Sequence, residues 1–304
     1  MRKTPNSPLR DWSLFGLAVF LFFNLASAAD QKITFNKGDR VVLVGGTLAS
    51  RAQYSGYLEK RIQSAYPDLG LSFRNMGWSA DKVDLMPRPL NFGMLEEHLT
   101  DKKADVIFLF FGSNEAFQGD AGIEKFISDY HALIERITPQ TSRIVLVSPA
   151  AHEKLKAPWP DPSKRNLVLE KYTDAIRRLA EEQEMPFIDL FHPTRTLMAE
   201  NYSDPLTING VHFTDPGYKI VADIMAAEMN WPAPKSATSE NIRTLIIEKN
   251  RQFQLRWRPV NGEYVFGRRN KPFGIVTYPP EMEQLDKQID ALDKEIQQAA
   301  GAPK

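Results

Sequence analysis

The fold is decided by residues 40–51, which read RVVLVGGTLASR. The four apolar residues 41–44, three of them β-branched, are typical of a strand buried inside a parallel sheet. Gly45 and Gly46 then permit a sharp turn, and Thr47 presents a hydroxyl just beyond the carboxyl end of this strand. Because ligands of open α/β sheets bind outside the carboxyl ends of the strands, Thr47 is the first candidate site residue.

Strand-like and helix-like segments alternate along the rest of the chain. The helical segments keep an i, i+3, i+4 apolar spacing, as in residues 122–137. Such alternation predicts a parallel sheet covered by helices on both faces. We therefore predict a doubly wound α/β domain over residues 29–232, with one five-stranded parallel sheet. Its strands are predicted at residues 41–44, 71–74, 105–111, 143–147 and 187–190.

Residues 1–28 have the pattern of a secretory signal peptide. Arg2, Lys3 and Arg10 precede an apolar run at residues 14–23, which is short for a membrane span. Ala26-Ser27-Ala28 then fits an A-x-A cleavage site. We expect cleavage after Ala28 and a periplasmic or extracellular location. The alternative is an uncleaved N-terminal anchor. Later stretches are too polar to span a bilayer, so no stable membrane span is expected after cleavage.

Charge balance and the lack of cysteine exclude several classes of function. Lysine plus arginine and aspartate plus glutamate both number 38, so net charge favours neither nucleic acid nor an anionic membrane as a partner. The chain has no cysteine, which excludes disulfides, thiol catalysis and cysteine-ligated zinc. His98, His131, His152 and His192 show no metal-ligand spacing. We predict no metal and no cofactor.

Four polar segments fall at the ends of predicted strands or just before the closing helix. They contain Thr47, Gly77, Asn114 and the pair Asn209 and His212. Acyl transfer needs a hydroxyl nucleophile, donors for the developing oxyanion and an imidazole base. Thr47 offers the hydroxyl, Gly77 and Asn114 offer N–H donors, and His212 is the candidate base.

The order, spacing and strand context of these segments resemble the SGNH, or GDSL-type, hydrolase superfamily over residues 38–229. The resemblance implies a flavodoxin-like three-layer fold, Gly77 and Asn114 as oxyanion donors, and His212 as base. The chain departs from the family pattern at the nucleophilic serine, which is Thr47, at the aspartate before it, which is Gly46, and at the triad aspartate, which is Asn209. A threonine hydroxyl can attack, although its methyl group restricts χ1, whereas an asparagine supplies no negative charge to an imidazolium.

The resemblance implies an exported carboxyl-ester hydrolase that acts on a small-molecule or carbohydrate ester, with acetyl esters of carbohydrate as the family-level expectation. The alternative is a pseudoenzyme that binds a glycan or a protein partner without turnover. Thr47 and Gly77 could also be simple turn residues, Asn114 a helix cap, and His212 a packed core histidine. Weaker candidates are Ser79 as a substitute nucleophile, Asp215 as a partner of His212 although its expected role is a helix N-cap, and a loop at His152-Glu153 that could reach the site.

Residues 233–304 form a C-terminal extension. We predict a helix at residues 241–253, a β-hairpin from the Arg- and aromatic-rich residues 256–269, and an amphipathic helix at residues 281–299. The alternative for residues 256–269 is a surface that stacks on sugars or binds anions. The last helix carries an a/d seam of about two heptads. This seam predicts either an intramolecular strut or weak self-association, and membership of a larger envelope assembly is a third hypothesis for the chain.

Overall fold

The computed structural model describes residues 31–200, 204–234 and 240–301, so the predicted signal peptide lies outside the described residues. Five parallel strands form one sheet in the order β2-β1-β3-β4-β5, which confirms the predicted sheet. The strands are β1 (Arg40–Gly45), β2 (Ser72–Asn75), β3 (Val106–Phe110), β4 (Ile144–Val147) and β5 (Phe187–Ile188). All residues of β3 and β4 are buried, because helices cover both faces of the sheet.

Helices alternate with these strands and continue into the C-terminal extension. The helices are α1 (Thr47–Ala52), α2 (Tyr57–Ala65), α3 (Leu95–Asp101), α4 (Ile123–Ile137), α5 (Ser163–Glu182), α6 (Phe191–Glu200), α7 (Asp215–Glu228), α8 (Glu240–Trp257), α9 (Gly262–Val265) and α10 (Ile275–Ala300). α4 packs against α5, and α2 packs against α7 and α8. None of the helices in the described ranges combines the length and the apolar composition that crossing a bilayer requires.

The strand order reverses at β1, which lies between β2 and β3. β2 pairs with one edge of β1, and β3, the next strand in the chain, pairs with its other edge. The segments that follow β1 and β3 therefore diverge and leave a crevice between them. Gly45 makes this point possible: its φ is +148°, and a Cβ atom there would lie 2.3 Å from the carbonyl oxygen of Phe110. The fold therefore places the site next to Gly46 and Thr47.

The predicted hairpin at residues 256–269 is wrong. α8 extends to Trp257, α9 follows, and the described residues of this segment contain no strand. Phe253 and Trp257, one helical turn apart, stack with an interplanar angle of 7° and are both buried. The i, i+4 spacing of these two rings therefore continues the helical period of α8 into the region assigned to the hairpin.

The apolar seam of α10 packs within the same chain. Ile296 and Ala300 form a buried cluster with Ile242 and Ile246 of α8. α8 is tied to the sheet domain by Lys249, whose side chain is fully buried and whose Nζ lies 2.5 Å from Oε2 of Glu59 in α2. The seam thus forms an intramolecular strut, and self-association through α10 stays a prediction.

Candidate functional site

A cavity of about 280 Å³ lies beyond the carboxyl ends of β1, β3 and β4. Thr47, Asn114 and His212 all line it, so three of the five predicted site residues converge there. The other two are Asn209, which stands behind His212, and Gly77, which does not line the cavity.

Thr47 is the first residue of α1 and is half-buried at the cavity wall. Its Oγ1 accepts a hydrogen bond of 3.3 Å from the backbone N–H of Ala80. Within the described part of the chain, Thr47 Oγ1 and His212 form no direct hydrogen bond. The hydroxyl and the imidazole therefore line the same cavity without a direct hydrogen bond between them.

The predicted role of Gly77 as an oxyanion donor is not supported by its position. Its N–H already donates to Oδ1 of Asn75 at 2.9 Å. A Cβ atom on Gly77 would lie 2.6 Å from the backbone nitrogen of Ser50, so this glycine is required for close packing against α1. Gly77 therefore shapes the loop that follows β2 and does not line the cavity.

The amide that faces Thr47 belongs to Ala80, which the sequence-based prediction missed. Ala80 has a φ of +70°, a left-handed conformation that favours glycine and in which an alanine is strained. This conformation turns its N–H toward Thr47 Oγ1. An alanine gives no signal for such a conformation in a sequence, so only the folded loop identifies it.

Asn114 presents its side-chain amide to the same cavity. Nδ2 donates to the carbonyl oxygen of Asp81 at 3.2 Å, which holds the amide in place. Because an amide nitrogen carries two hydrogens, one remains for a ligand. Asn114 makes no side-chain cap to the helical turn that follows it, so the alternative of a helix cap is wrong.

Two buried carboxylates that the sequence-based prediction missed fix the loops around the cavity. Glu115 accepts the backbone N–H of Gly112 at 2.8 Å and of Val83 at 2.9 Å, and burial raises the pKa of its carboxyl. Asp81 pairs with both terminal nitrogens of Arg88, and burial raises the pKa of Asp81 as well. These contacts join the loops after β2 and β3 and so hold Ala80 and Asn114 relative to each other.

Asn209 stands behind the imidazole of His212, at the position of the triad acid. Its Nδ2 lies 2.8 Å and its Oδ1 3.1 Å from Nδ1 of His212. Oδ1 also accepts the backbone N–H groups of Val211 at 3.2 Å and of His212 at 2.9 Å. Two backbone donors occupy both lone pairs of Oδ1, so we assign Nδ2–H as the donor to Nδ1. The ring proton of neutral His212 then lies on Nε2.

The environment of the cavity keeps its two histidines neutral. Burial lowers the pKa of His212, and the nearby positive charge of Arg51 lowers it further. Burial lowers the pKa of His152 to about 4, with further contributions from Arg165 and His212. Both rings line the cavity. Because their pKa values are lowered, both are uncharged at neutral pH.

The loop that carries His212 is held by Glu153. Its buried carboxylate accepts the backbone N–H groups of Leu206 at 2.9 Å and of Thr207 at 2.7 Å, and also the Thr207 hydroxyl. The backbone N–H of Glu153 donates to the carbonyl oxygen of Gly210 at 2.8 Å. The His152-Glu153 segment thus reaches the site from the loop after β4, with Glu153 as a positioning residue for His212.

The remaining candidates lie apart from the reacting groups. The predicted N-cap at Asp215 is wrong, because Thr214 caps α7 by accepting the N–H of Gly217 at 3.1 Å. The Asp215 carboxylate bonds Tyr57 and Arg243. Ser79 donates to Oγ of Ser50 at 3.3 Å and does not line the cavity. In the described ranges no group of three or more histidine or acidic side chains could hold a metal ion.

Residues 33–220 match the model of the GDSL-like lipase/acylhydrolase family. A similar curated protein is an acetylxylan esterase from Geobacillus stearothermophilus, which is 25% identical over 188 residues. The matched region covers 59% of this chain and 81% of that esterase.

Solved structures share the fold at lower identity. A catalytic mutant of an acetylxylan esterase from Geobacillus stearothermophilus has a TM-score of 0.55 at 21% identity, with 67% of this chain and 100% of that chain covered. A gut microbial diltiazem-metabolizing enzyme has a TM-score of 0.65 at 13% identity, with 90% of this chain and 97% of that chain covered. The second likeness therefore extends beyond residues 33–220.

Proposed function

This chain belongs to the GDSL-like lipase/acylhydrolase family, and we propose that it hydrolyses short carboxylic esters with Thr47 as the nucleophile. One observation carries the proposal: the Thr47 hydroxyl, which accepts the N–H of Ala80, lines one cavity together with Asn114 and His212. A hydroxyl flanked by fixed N–H donors is the arrangement that stabilises a tetrahedral oxyanion.

The chemistry follows from these positions. Thr47 Oγ1 attacks the ester carbonyl and its proton passes to Nε2 of His212, while the Ala80 N–H and the free Asn114 hydrogen bind the oxyanion. The intermediate collapses, and His212 returns the proton to the departing alcohol. A water molecule, deprotonated by His212, then attacks the acyl-Thr47 ester, and His212 returns that proton to Thr47 Oγ1 as the carboxylic acid is released.

The tautomer of His212 limits the rate of this reaction. Nε2 can accept a proton only when Nδ1 carries one, and Nδ1–H then has to donate to Asn209 Oδ1 at 3.1 Å in competition with two backbone N–H groups. The competent tautomer is therefore a minor one. We expect catalysis that is real but slow compared with an enzyme that has an aspartate at this position.

Acetylated carbohydrate is the substrate class that we propose. It is supported by the acetylxylan esterase relative and by an apolar rim on the cavity, where the Phe117 side chain is 73% exposed and Val211 is also exposed. Arg165 lies 3.6 Å from the Phe117 ring centroid and bonds the carbonyl oxygen of Ala116 at 2.6 Å. A ring held in this way offers a flat surface to a sugar.

The test is a comparison of the wild-type protein with Thr47→Val, which keeps the side-chain shape and removes the hydroxyl. The substrates are 4-nitrophenyl acetate and acetylated xylooligosaccharide, and mass spectrometry checks for an acetyl group on Thr47. We expect hydrolysis and the adduct to disappear in Thr47→Val and to persist in Thr100→Val, an exposed threonine of α3 that serves as control. Hydrolysis that survives Thr47→Val would mean that Thr47 is not the nucleophile.

A second candidate function is a binding protein without turnover, and the Asn209–His212 contact favours it. An amide that donates to Nδ1 removes the base from its working tautomer. This candidate requires no hydrolysis by the wild-type protein or by Thr47→Ser, together with saturable binding of acetylated xylooligosaccharide in calorimetry. Hydrolysis by the wild-type protein eliminates it.

We also propose that the protein acts outside the cytoplasm, on the basis of the apolar run at residues 14–23 and the Ala26-Ser27-Ala28 site. N-terminal sequencing of the protein from its native cells should start at Ala29 in an envelope or extracellular fraction. Protein that retains residues 1–28 in the cytoplasmic fraction would contradict this proposal.

A further inference from the structure

Arg51 lies one helical turn beyond Thr47 on α1. Residues at positions i and i+4 of an α-helix share a face, with Cβ atoms about 6 Å apart. The side chain of Arg51 therefore lies on the same face of α1 as the Thr47 hydroxyl, beside the cavity rather than among the residues that line it. A group bound to Arg51 would lie a few bonds from a carbonyl positioned at Thr47.

The guanidinium of Arg51 has no carboxylate partner within the described ranges. The residue as a whole is half-buried, and its Nε atom is buried without a hydrogen-bond partner. Three other half-buried arginines are paired with acids, Arg88 with Asp81, Arg143 with Asp39, and Arg177 with Asp189, whereas Arg61 and Arg165 bond backbone carbonyl oxygens. A guanidinium matches a carboxylate through two parallel N–H···O bonds, and Nε of Arg51 is a donor without a partner.

The neighbours of Arg51 connect it to the cavity. Its side chain forms a hydrogen bond with Tyr218 and its positive charge acts on His212, and both of these residues line the cavity. The Tyr218 hydroxyl donates to the carbonyl oxygen of Leu48 at 3.1 Å, so this wall is fixed against α1. Arg51 opposes protonation of His212. A carboxylate bound to Arg51 would reduce that effect.

We propose that Arg51 anchors a carboxylate-binding subsite next to the Thr47 hydroxyl, so that the preferred ligand carries a carboxylate a few bonds from its ester. The substrate part of this proposal rests on the ester-hydrolase function proposed above, whereas the binding part does not. The carboxylate can belong to the alcohol side of the ester, as in an acetylated uronic acid, or to the acyl side, as in a hemisuccinate.

A binding experiment tests the subsite without turnover. Sodium galacturonate represents the alcohol side, sodium succinate represents the acyl side, and galactose is the neutral control. The His212 ring is observed by NMR in protein labelled with ¹³C-histidine, with the signal assigned from His212→Gln. We expect galacturonate or succinate to shift the His212 signal saturably and to raise its pKa, whereas galactose should not. Binding of neither anion would overturn the proposal.

Variants assign the binding to Arg51. Arg51→Gln should weaken anion binding about tenfold or more, because hydrogen bonds between charged groups are stronger than neutral ones. Arg51→Lys keeps the positive charge but lacks the planar guanidinium. Its affinity for the anion should lie between those of the wild type and Arg51→Gln. The control is Arg40→Gln at the amino end of β1, the opposite edge of the sheet, which should bind as the wild type. Equal affinity in Arg51→Gln and wild type would overturn the assignment.

A kinetic arm separates this proposal from the proposed function. For the acyl side, the measurement is the ratio of kcat/KM for 4-nitrophenyl hemisuccinate to that for 4-nitrophenyl acetate. For the alcohol side, it is the same ratio for an acetylated uronate and an acetylated neutral sugar. The ratio for the side of the ester whose carboxylate binds Arg51 should fall in Arg51→Gln. If anions bind through Arg51 but no ester is hydrolysed, the subsite holds and the hydrolase function fails. If esters are hydrolysed with unchanged ratios in Arg51→Gln, the hydrolase function holds and the subsite fails.

Discussion

Nδ2 of Asn209 lies 2.8 Å from Nδ1 of His212, on the side of the imidazole where a general base needs a hydrogen-bond acceptor. Backbone N–H groups of Val211 and His212 hold Oδ1 of the same amide. The fold thus keeps the geometry of an acid–base pair but reverses the direction of its hydrogen bond. In the proposed ester hydrolysis, this reversal disfavours the tautomer of His212 that can accept the Thr47 proton.

Asn209→Asp should restore the catalytic tautomer. An aspartate would accept Nδ1–H of His212 with one oxygen and leave Nε2 free for the Thr47 proton. In the serine-protease template the acid-to-amide change costs about 10⁴ in kcat, so we expect a rise of roughly two to four orders of magnitude in ester hydrolysis. The measurement is kcat/KM on 4-nitrophenyl acetate, with Asn230→Asp, beyond the far end of α7, as the matched control. No gain over that control would contradict the assigned tautomer.

The acid limb of the pH–rate profile should lie below pH 6.5. His212 acts as a base in its neutral form, and burial together with Arg51 lowers the pKa of that imidazole from its ordinary value. Activity should therefore remain constant as the pH falls through 6.5 and should decline only below the lowered pKa. Removal of the cation in Arg51→Gln should move this limb toward higher pH. A wild-type limb above pH 6.5 would show that another group controls the rate.

Ala80→Gly should retain activity, whereas Gly77→Ala should lose stability. Glycine at position 80 adopts a φ of +70° without strain and keeps the N–H that faces Thr47. Alanine at position 77 would place a Cβ atom 2.6 Å from the Ser50 nitrogen, an overlap that costs about 1–3 kcal/mol. Urea unfolding and kcat/KM measured on both variants separate the two effects. A Gly77→Ala protein of unchanged stability that is inactive would return the oxyanion role to Gly77.

His152 should make folding less favourable in acid. Its pKa is about 4 in the folded protein and near 6.5 in the unfolded chain, so between these values the unfolded chain binds a proton that the folded protein does not. The contribution of His152 to stability is complete above pH 6.5 and is lost as the pH falls toward 4, up to about 3 kcal/mol. Urea unfolding at pH 7 and pH 4.5 should give a smaller stability difference in His152→Gln than in wild type. Equal differences would contradict the buried neutral imidazole.

Glu153→Gln should loosen the loop that carries His212. A glutamine presents one acceptor where the carboxylate accepts from Leu206, Thr207 and the Thr207 hydroxyl, so a loss of about 1–3 kcal/mol in unfolding free energy is expected. kcat should fall more than KM rises, because the loop positions the base and not the substrate. The control is Glu124→Gln in the first turn of α4. A variant with reduced stability and wild-type kcat would limit Glu153 to a structural role.

The sheet and its helices could be predicted because the responsible signals are local. A buried parallel strand such as residues 41–44 is a short apolar run, and an amphipathic helix such as α4 repeats its apolar residues every turn. The hairpin prediction was wrong because it was based on Arg- and aromatic-rich composition, which carries no periodic signal. The i, i+4 spacing of Phe253 and Trp257 is a periodic signal, and it indicates a helix.

The sequence by itself determined the fold and brought Thr47, Asn114 and His212 to one edge of the sheet, with Asn209 three residues before His212, because strand ends and their following residues are fixed by short-range patterns. Only the tertiary structure decided that Ala80 rather than Gly77 faces the hydroxyl, that Asn209 presents its nitrogen to His212, and that Nε of Arg51 lacks a partner among the residues that the structure describes. Each of these depends on the direction of one N–H or one side chain. That direction is set by contacts between segments far apart in the chain, which no local pattern encodes.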